Sequence, residues 1–227
     1  MRSVSSPVGE NLSRVRERMA KAAARAGRDA DAVRLCVVTK GRDLSQVREA
    51  VAAGERILGE NRVQEAAPKI EAARDLAGAI SWHLIGHLQR NKARRAASLF
   101  DVIQSVDSPE LARRLSELGE ERLRPIEAFV EVRTTDEPTK TGLPLERAEE
   151  RIAAMRELRG LAVKGLMTMA PLTEEEARIR SSFAALRELR ERLGGDVREL
   201  SMGMSADFEI AVEEGATIVR VGSAIFD

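Results

Sequence analysis

From end to end the chain alternates two hydrophobic rhythms. Short apolar, β-branched runs recur at 35–39, 56–58, 80–85, 100–106, 126–132, 161–167, 198–201 and 217–221, and each reads as a buried strand. Between them, apolar residues return every three or four positions, the spacing of a helix with one buried face. An opening helix over about 9–27 carries Leu12, Val15, Met19, Ala22 and Ala26 on one face. Leu44, Val47 and Val51 mark the next helix, which Gly54 ends. Further helices are expected at 63–77, 91–99, from Ser108-Pro109-Glu110 onward, at 145–158, and at 205–215. Thr173 to Glu176 reads as a capping box opening a long helix through Ile179, Phe183, Leu186 and Leu193.

Strands that alternate with helices form a parallel sheet, because each crossover returns the chain to the same end. Eight such units favour a closed (β/α)₈ TIM-like barrel over an open doubly wound sheet. No G-x-G-x-x-G follows a strand, which weighs against a dinucleotide fold. The length of 227 residues suits one barrel, and no linker interrupts the pattern, so 1–227 is expected to be a single domain. The longest loop is expected at 134–144.

Charge narrows the function classes. Lys plus Arg and Asp plus Glu both total 37, so the net charge is zero and gives no basis for bulk nucleic-acid or membrane binding. No apolar run reaches the roughly 20 residues of a bilayer span, and the first residues lack the apolar core of a secretory signal. A cytoplasmic location is therefore expected. The single cysteine, Cys36, rules out an internal disulfide and a cysteine-rich metal site.

Chemistry is sought at the C-terminal ends of the strands, where barrels of this type carry their sites. Lys40 directly follows the first strand. A lysine desolvated against an apolar strand loses its proton more easily, and the neutral amine attacks aldehydes; the alternative is a surface lysine in a loop. Two Gly/Ser loops follow strands seven and eight: Ser201-Met202-Gly203-Met204-Ser205, and Arg220-Val221-Gly222-Ser223-Ala224. Glycine lets backbone approach an anion, serine donates to it, and phosphates commonly bind at these two loops of a barrel. Ser205 also reads as the N-cap of the following helix. Ordinary turn chemistry is the alternative for both loops. Arg220 is in phase with Ile218, so both face the interior together or not at all.

Asn61, after strand two, either bonds a ligand oxygen or caps the next helix, and Glu60 beside it suits a cation near the barrel top. His83 and His87 are the only histidines, with no third ligand, so a metal site is not expected. Glu131 and Arg133 share one face of strand five. Lys164, inside strand six, is a rival reactive lysine with no phosphate loop beside it.

Several motifs together resemble one family, the pyridoxal 5′-phosphate (PLP) homeostasis proteins, single-domain relatives of the alanine racemase N-terminal barrel. They are Val37-Val38-Thr39-Lys40; Leu58-Gly59-Glu60-Asn61-Arg62-Val63-Gln64-Glu65; Trp82 to Lys92 as W-H-L-I-G-H-L-Q-R-N-K; Gly165-Leu166-Met167-Thr168-Met169; Leu200 to Asp207; and Val219 to Phe226. They occur in order over nearly the whole chain. The resemblance implies PLP held as a Schiff base on Lys40. Ser205, Gly222 and Ser223 would hold the phosphate with the backbone of Met204, Arg220 would face the pyridine nitrogen, and Asn61 would lie near the ring. It implies buffering or delivery of PLP, with apo PLP-dependent enzymes as recipients, an effect on amino-acid balance, and no turnover. The chain departs from the family at Gly41-Arg42-Asp43, at Arg62 where tyrosine is common, and at Asp227, beyond which relatives usually continue with a short tail.

The alternative is a PLP-dependent racemase or lyase of the alanine racemase type. Racemisation needs two acid–base groups on opposite faces of the substrate. The two-domain racemases supply the second as a tyrosine, and this chain has none. A lysine-dependent barrel aldolase without cofactor is a third class, which a colourless purified protein would favour.

Overall fold

Each apolar run forms a strand whose alternate side chains serve two cores. The computed structural model describes residues 6–135, 137 and 141–227. The strands are β1 (Arg34–Val38), β2 (Ile57–Glu60), β3 (Ser81–Leu84), β4 (Val102–Val106), β5 (Ile126–Arg133), β6 (Leu161–Met167), β7 (Glu199–Ser201) and β8 (Ile218–Val221). All pair in parallel, in sequence order, and β1 closes the ring by pairing with both β2 and β8. Val37, for example, lies opposite Leu58 on one side and Val221 on the other. The eight strands form the closed barrel that the alternation implies. A two-residue strand, Leu143–Pro144, pairs in parallel beside the end of β5.

Helices α1 (Pro7–Arg25), α2 (Leu44–Ala52), α3 (Val63–Ala72), α4 (Ala93–Leu99), α5 (Pro109–Glu121), α6 (Leu145–Arg156), α7 (Glu176–Leu193), α8 (Phe208–Glu213) and α9 (Ser223–Phe226) accompany the strands. Leu35, Val37, Leu58, Leu84 and Val219 point away from the barrel axis into the main core shared with the helices. Cys36, Val102, Phe129, Met167 and Ile218 point the other way, into a smaller apolar cluster inside the barrel. The opening helix α1 is capped by Ser6, whose side chain accepts from the N–H of Gly9, and it buries Leu12, Val15, Met19 and Ala22. Asn11 Nδ2 donates to the carbonyl of Ile225 at 2.8 Å, tying the start of the chain to α9.

Local expectations fail where a side chain bonds closer along the chain than the helix rule assumes. The hydroxyl of Thr173 accepts from Glu175 N, two residues on, so it makes a turn rather than a capping box, and α7 starts only at Glu176. Ser205 is not an N-cap. Asp207 Oδ1 accepts from Met204 N at 2.5 Å, the chain turns there, and α8 is a six-residue helix with Asp207 before it. Within the expected loop at 134–144, residues 136 and 138–140 lie outside the described residues, and Leu143 is already paired to Val132. No described helix is long and apolar enough to cross a membrane.

Candidate functional site

Lys40 lies two residues beyond Val38, in step with Cys36 of the interior cluster, at the C-terminal end of β1. It is exposed and has no hydrogen bond or ion pair among the described residues. The peptide leading into it is held firmly. Thr39 N donates to Gly59 O at 2.9 Å, and Lys69 of α3 donates to Thr39 O at 2.6 Å. The same Lys69 ammonium lies 2.6 Å from Glu60 Oε1, which also accepts from the Thr39 hydroxyl at 2.6 Å. Glu60 is fully buried, so it does meet a cation, but under the mouth rather than in it. Lys69 is a residue that sequence reasoning missed; it sits on a helix face with no local sign of a partner at 39 or 60.

Because β1 lies between β2 and β8, the segments after those strands flank Lys40. After β2, Asn61 does not cap α3: the N-cap residue is Arg62, without a side-chain bond. Asn61 Oδ1 is instead buried with no partner, an acceptor left over at the mouth. After β8, Gly222 passes so close to β1 that a Cβ there would lie 3.0 Å from Val38 O and 3.1 Å from Val38 Cβ.

The two Gly/Ser loops come together. Arg220 N donates to Gly203 O at 2.9 Å, and Ala224 N reaches the Ser205 hydroxyl at 3.5 Å. Gly203 needs its positive φ of 92°, and a Cβ there would come within 2.5 Å of Ala211 Cβ. Ser205 is half-buried and Ser223 exposed. Met204 is different: its N–H goes to Asp207 and its carbonyl accepts from Asp207 and Phe208, leaving the 40 % exposed side chain as what it offers.

Arg220 and Ile218 do both face the interior. Arg220 is 4 % exposed and donates to Ser201 Oγ at 2.8 Å and to Thr168 O at 2.9 Å. Burial lowers its pKa, which the charges of Cys36, Asp207 and Glu131 oppose, and a guanidinium keeps its proton regardless. Glu131 faces the same space, accepts from Thr141 Oγ1 at 2.5 Å, and has its pKa raised chiefly by burial. His87 Nδ1 lies 2.9 Å from Asp107 Oδ2. No group of three or more metal-type ligands occurs among the described residues.

A roomier cavity lies at the opposite end of the barrel. About 450 Å³ opens at the N-terminal ends of the strands, lined by Arg34, Ser81, His83, Phe129, Lys164 and Ile218. Lys164 belongs there, 3.7 Å from Asp196, far from the Gly/Ser loops. At the mouth a cleft of about 10 Å³ opens beside Glu131, Thr141 and Thr168. Chemistry outweighs size here. Among the described residues the mouth has an unpartnered lysine, an orphaned acceptor, two joined Gly/Ser loops and a buried cation, at the face where barrels carry their sites.

Residues 11–227 match the family described as alanine racemase, N-terminal domain. The chain is 41 % identical over 221 residues to the pyridoxal phosphate homeostasis protein of Pseudomonas aeruginosa, covering 97 % of this chain and 95 % of that protein. It is 40 % identical over 221 residues to the protein of the same name from Aquifex aeolicus, covering 96 % of each. Among solved structures, PipY of Synechococcus elongatus with PLP bound superposes with a TM-score of 0.84 at 36 % identity, over 97 % of this chain and all of that one. The chain belongs to the alanine racemase N-terminal domain family, among the pyridoxal phosphate homeostasis proteins.

Proposed function

We propose that this chain binds PLP at the barrel mouth as a Schiff base on Lys40, and that it stores and hands on the cofactor without turning over amino acids. One observation carries this reading: a lysine unpartnered among the described residues stands between an orphaned Asn61 oxygen and the joined loops of Ser205 and Gly222-Ser223, above a buried Arg220. These residues fit the group. The lysine matches its aldehyde, the serine hydroxyls its phosphate, the Asn61 acceptor its ring hydroxyl, and Arg220 its pyridine nitrogen. Met204 would contribute through its side chain. The PLP-bound relative supports the same cofactor.

PLP, when bound, supplies an aldehyde for amines and an electron-withdrawing ring. The residues around Lys40 do the rest. Glu60, Lys69 and Thr39 hold the lysine's backbone in place, and Ser205 and Ser223 anchor the phosphate. Arg220, a permanent donor, keeps the ring nitrogen unprotonated and so weakens the ring as an electron sink. A second acid–base group opposite Lys40 is missing from the described mouth: Glu131 is tied to Thr141, and His87 to Asp107. Delivery to apo-enzymes then requires only exchange of one amine for another at the aldehyde carbon. A cytoplasmic place of work accords with a lone, unpaired Cys36.

The test is reduction with borohydride after loading with PLP, followed by peptide mapping. The phosphopyridoxyl group is expected on Lys40, and Lys40→Ala should lose the visible absorbance. An adduct on Lys164 or another lysine, or a colourless native protein, overturns the reading.

A further inference from the structure

A line of polar side chains crosses the barrel interior, where packing alone calls for apolar ones. Arg220 Nη1 donates to Ser201 Oγ at 2.8 Å, and Ser201 Oγ lies 2.5 Å from Gln104 Oε1. Gln104 Nε2 lies 2.6 Å from His83 Nδ1, and His83 Nε2 lies 3.1 Å from Ser81 Oγ. The line links β8, β7, β4 and β3. Ser201 and Gln104 are fully buried and His83 is 4 % exposed.

With the Gln104 amide oxygen turned to Ser201 and its nitrogen to His83, the donors of Arg220 set the direction of every bond. A guanidinium only donates, so Ser201 accepts from it and has a single proton to give. That proton goes to Gln104 Oε1. The amide nitrogen of Gln104 therefore faces His83 and donates, so His83 Nδ1 carries no proton. His83 is then the Nε2–H tautomer, and Nε2 donates to Ser81. All four links run one way, from Arg220 toward the N-terminal end of the barrel. A second proton on His83 would face the Gln104 amide hydrogens. Burial, with the charge of Arg34, independently pushes the imidazole down to about 3.

We infer that Ser201, Gln104 and His83 are positioning residues for Arg220, fixing its guanidinium beneath the mouth as a donor to the ring nitrogen of bound PLP. The inference rests on the PLP reading above. Two of the five N–H groups of Arg220 are spent on Ser201 and Thr168, and the other three have no acceptor among the described residues. A guanidinium held on one side by fixed acceptors presents its remaining donors in one orientation. Arg220 lies on the strand whose end forms the Gly222-Ser223 loop, so those donors lie next to the phosphate side of the mouth. Lysine in place of Arg220 would donate to Ser201 but lack the fork that bonds Thr168 and a ligand together.

The test uses two readouts. In the cofactor-free protein, nitrogen-15 NMR of the imidazole is expected to show the Nε2–H tautomer of His83, unchanged between pH 5 and 8. An Nδ1–H tautomer, or titration in that range, overturns the inference whether or not PLP binds. With ring-labelled PLP bound, Gln104→Leu and Ser201→Ala should shift the pyridine nitrogen resonance and speed cofactor release about tenfold, as for loss of one buried hydrogen bond. Ser201→Thr, which keeps the hydroxyl, should restore both toward the native values. Ser205→Ala, on the phosphate side, should speed release and leave the ring nitrogen resonance in place. Native release and an unmoved resonance in both Gln104→Leu and Ser201→Ala overturn the inference. A native protein that takes up no PLP instead sinks the proposed function, while the tautomer result still stands.

Discussion

Replacing Lys69 with methionine should unsettle the site from behind. Methionine keeps most of the side-chain length and apolar stem but removes the ammonium that lies 2.6 Å from both Glu60 Oε1 and Thr39 O. Glu60 is fully buried and its second oxygen, Oε2, already has no partner, so the carboxylate would retain only the Thr39 hydroxyl. Breaking a buried pair by removing one member costs about 3–5 kcal/mol. The surviving Thr39 bond places the expectation near the lower end, at about 3 kcal/mol. For a chain of this size, each kcal/mol moves the melting temperature by roughly 2–4 °C, so the midpoint should fall by about 6–12 °C. Thermal melts of the cofactor-free protein at pH 7 measure this directly. Adding Glu60→Gln should return at least about 1.5 kcal/mol, because a neutral amide no longer needs a counter-charge. A drop of less than about 1 kcal/mol, or strictly additive costs in the double variant, would show that the pair does not clamp the peptide before Lys40.

The phosphate side can be weighed separately: Ser205→Ala and Ser223→Ala should each weaken PLP binding by about 1–3 kcal/mol, with pyridoxal scarcely affected, and equal affinity in both variants would place the phosphate elsewhere. Gly203→Ala should destabilise by more than about 2 kcal/mol, since it combines a φ of 92° with a Cβ 2.5 Å from Ala211; urea melts at the native midpoint would refute the crowding. His83 sets a pH dependence. Its folded-state pKa of about 3 lies below the ordinary 6.5, so the unfolded chain takes up the proton first as pH falls, and stability drops below pH 6.5. The contribution is up to about 1.4 kcal/mol per pH unit, and His83→Gln should show a shallower loss between pH 6.5 and 5. Finally, the PLP-loaded protein in deuterated water with L-alanine should show no sustained α-deuterium uptake or D-isomer. Exchange at about 1 s⁻¹ or faster would make it an enzyme.

The barrel was legible because its signal is local and repeated: each of the eight apolar runs at 35–39 through 217–221 contains or overlaps a strand. The position of Lys40 followed directly, since the end of a strand in a parallel barrel has only one place to be. Ser205 and Thr173 were misread for one physical reason. A hydroxyl in such a segment suits either a cap or a tight turn; here the Asp207 carboxylate takes Met204 N, and the backbone N–H of Glu175 bonds the Thr173 hydroxyl. Lys164 read as a rival with no phosphate loop beside it, and the structure sets it by Asp196 in the cavity at the N-terminal ends of the strands. The polar line was harder to see. Gln104 and Ser201 are 97 residues apart, and nothing near either names the other. A signal did exist in the Gln104-Ser105 pair inside the apolar run Val102 to Val106, since a polar side chain in a fully buried strand has to find a partner.

The interior cluster has a practical consequence for anyone who wishes to watch this protein move. Cys36 is completely enclosed by the barrel, and burial pushes its thiol up to about 12. Maleimides and iodoacetamides react with accessible thiolate, so the native chain is silent to them while folded. A cysteine introduced on the exposed face of α1 or at Leu172, which is fully exposed, would then be the one reactive site on the surface among the described residues. A dye or spin label can thus be attached without altering the barrel. The same silence makes labelling of Cys36 itself a clock for global opening of the ring.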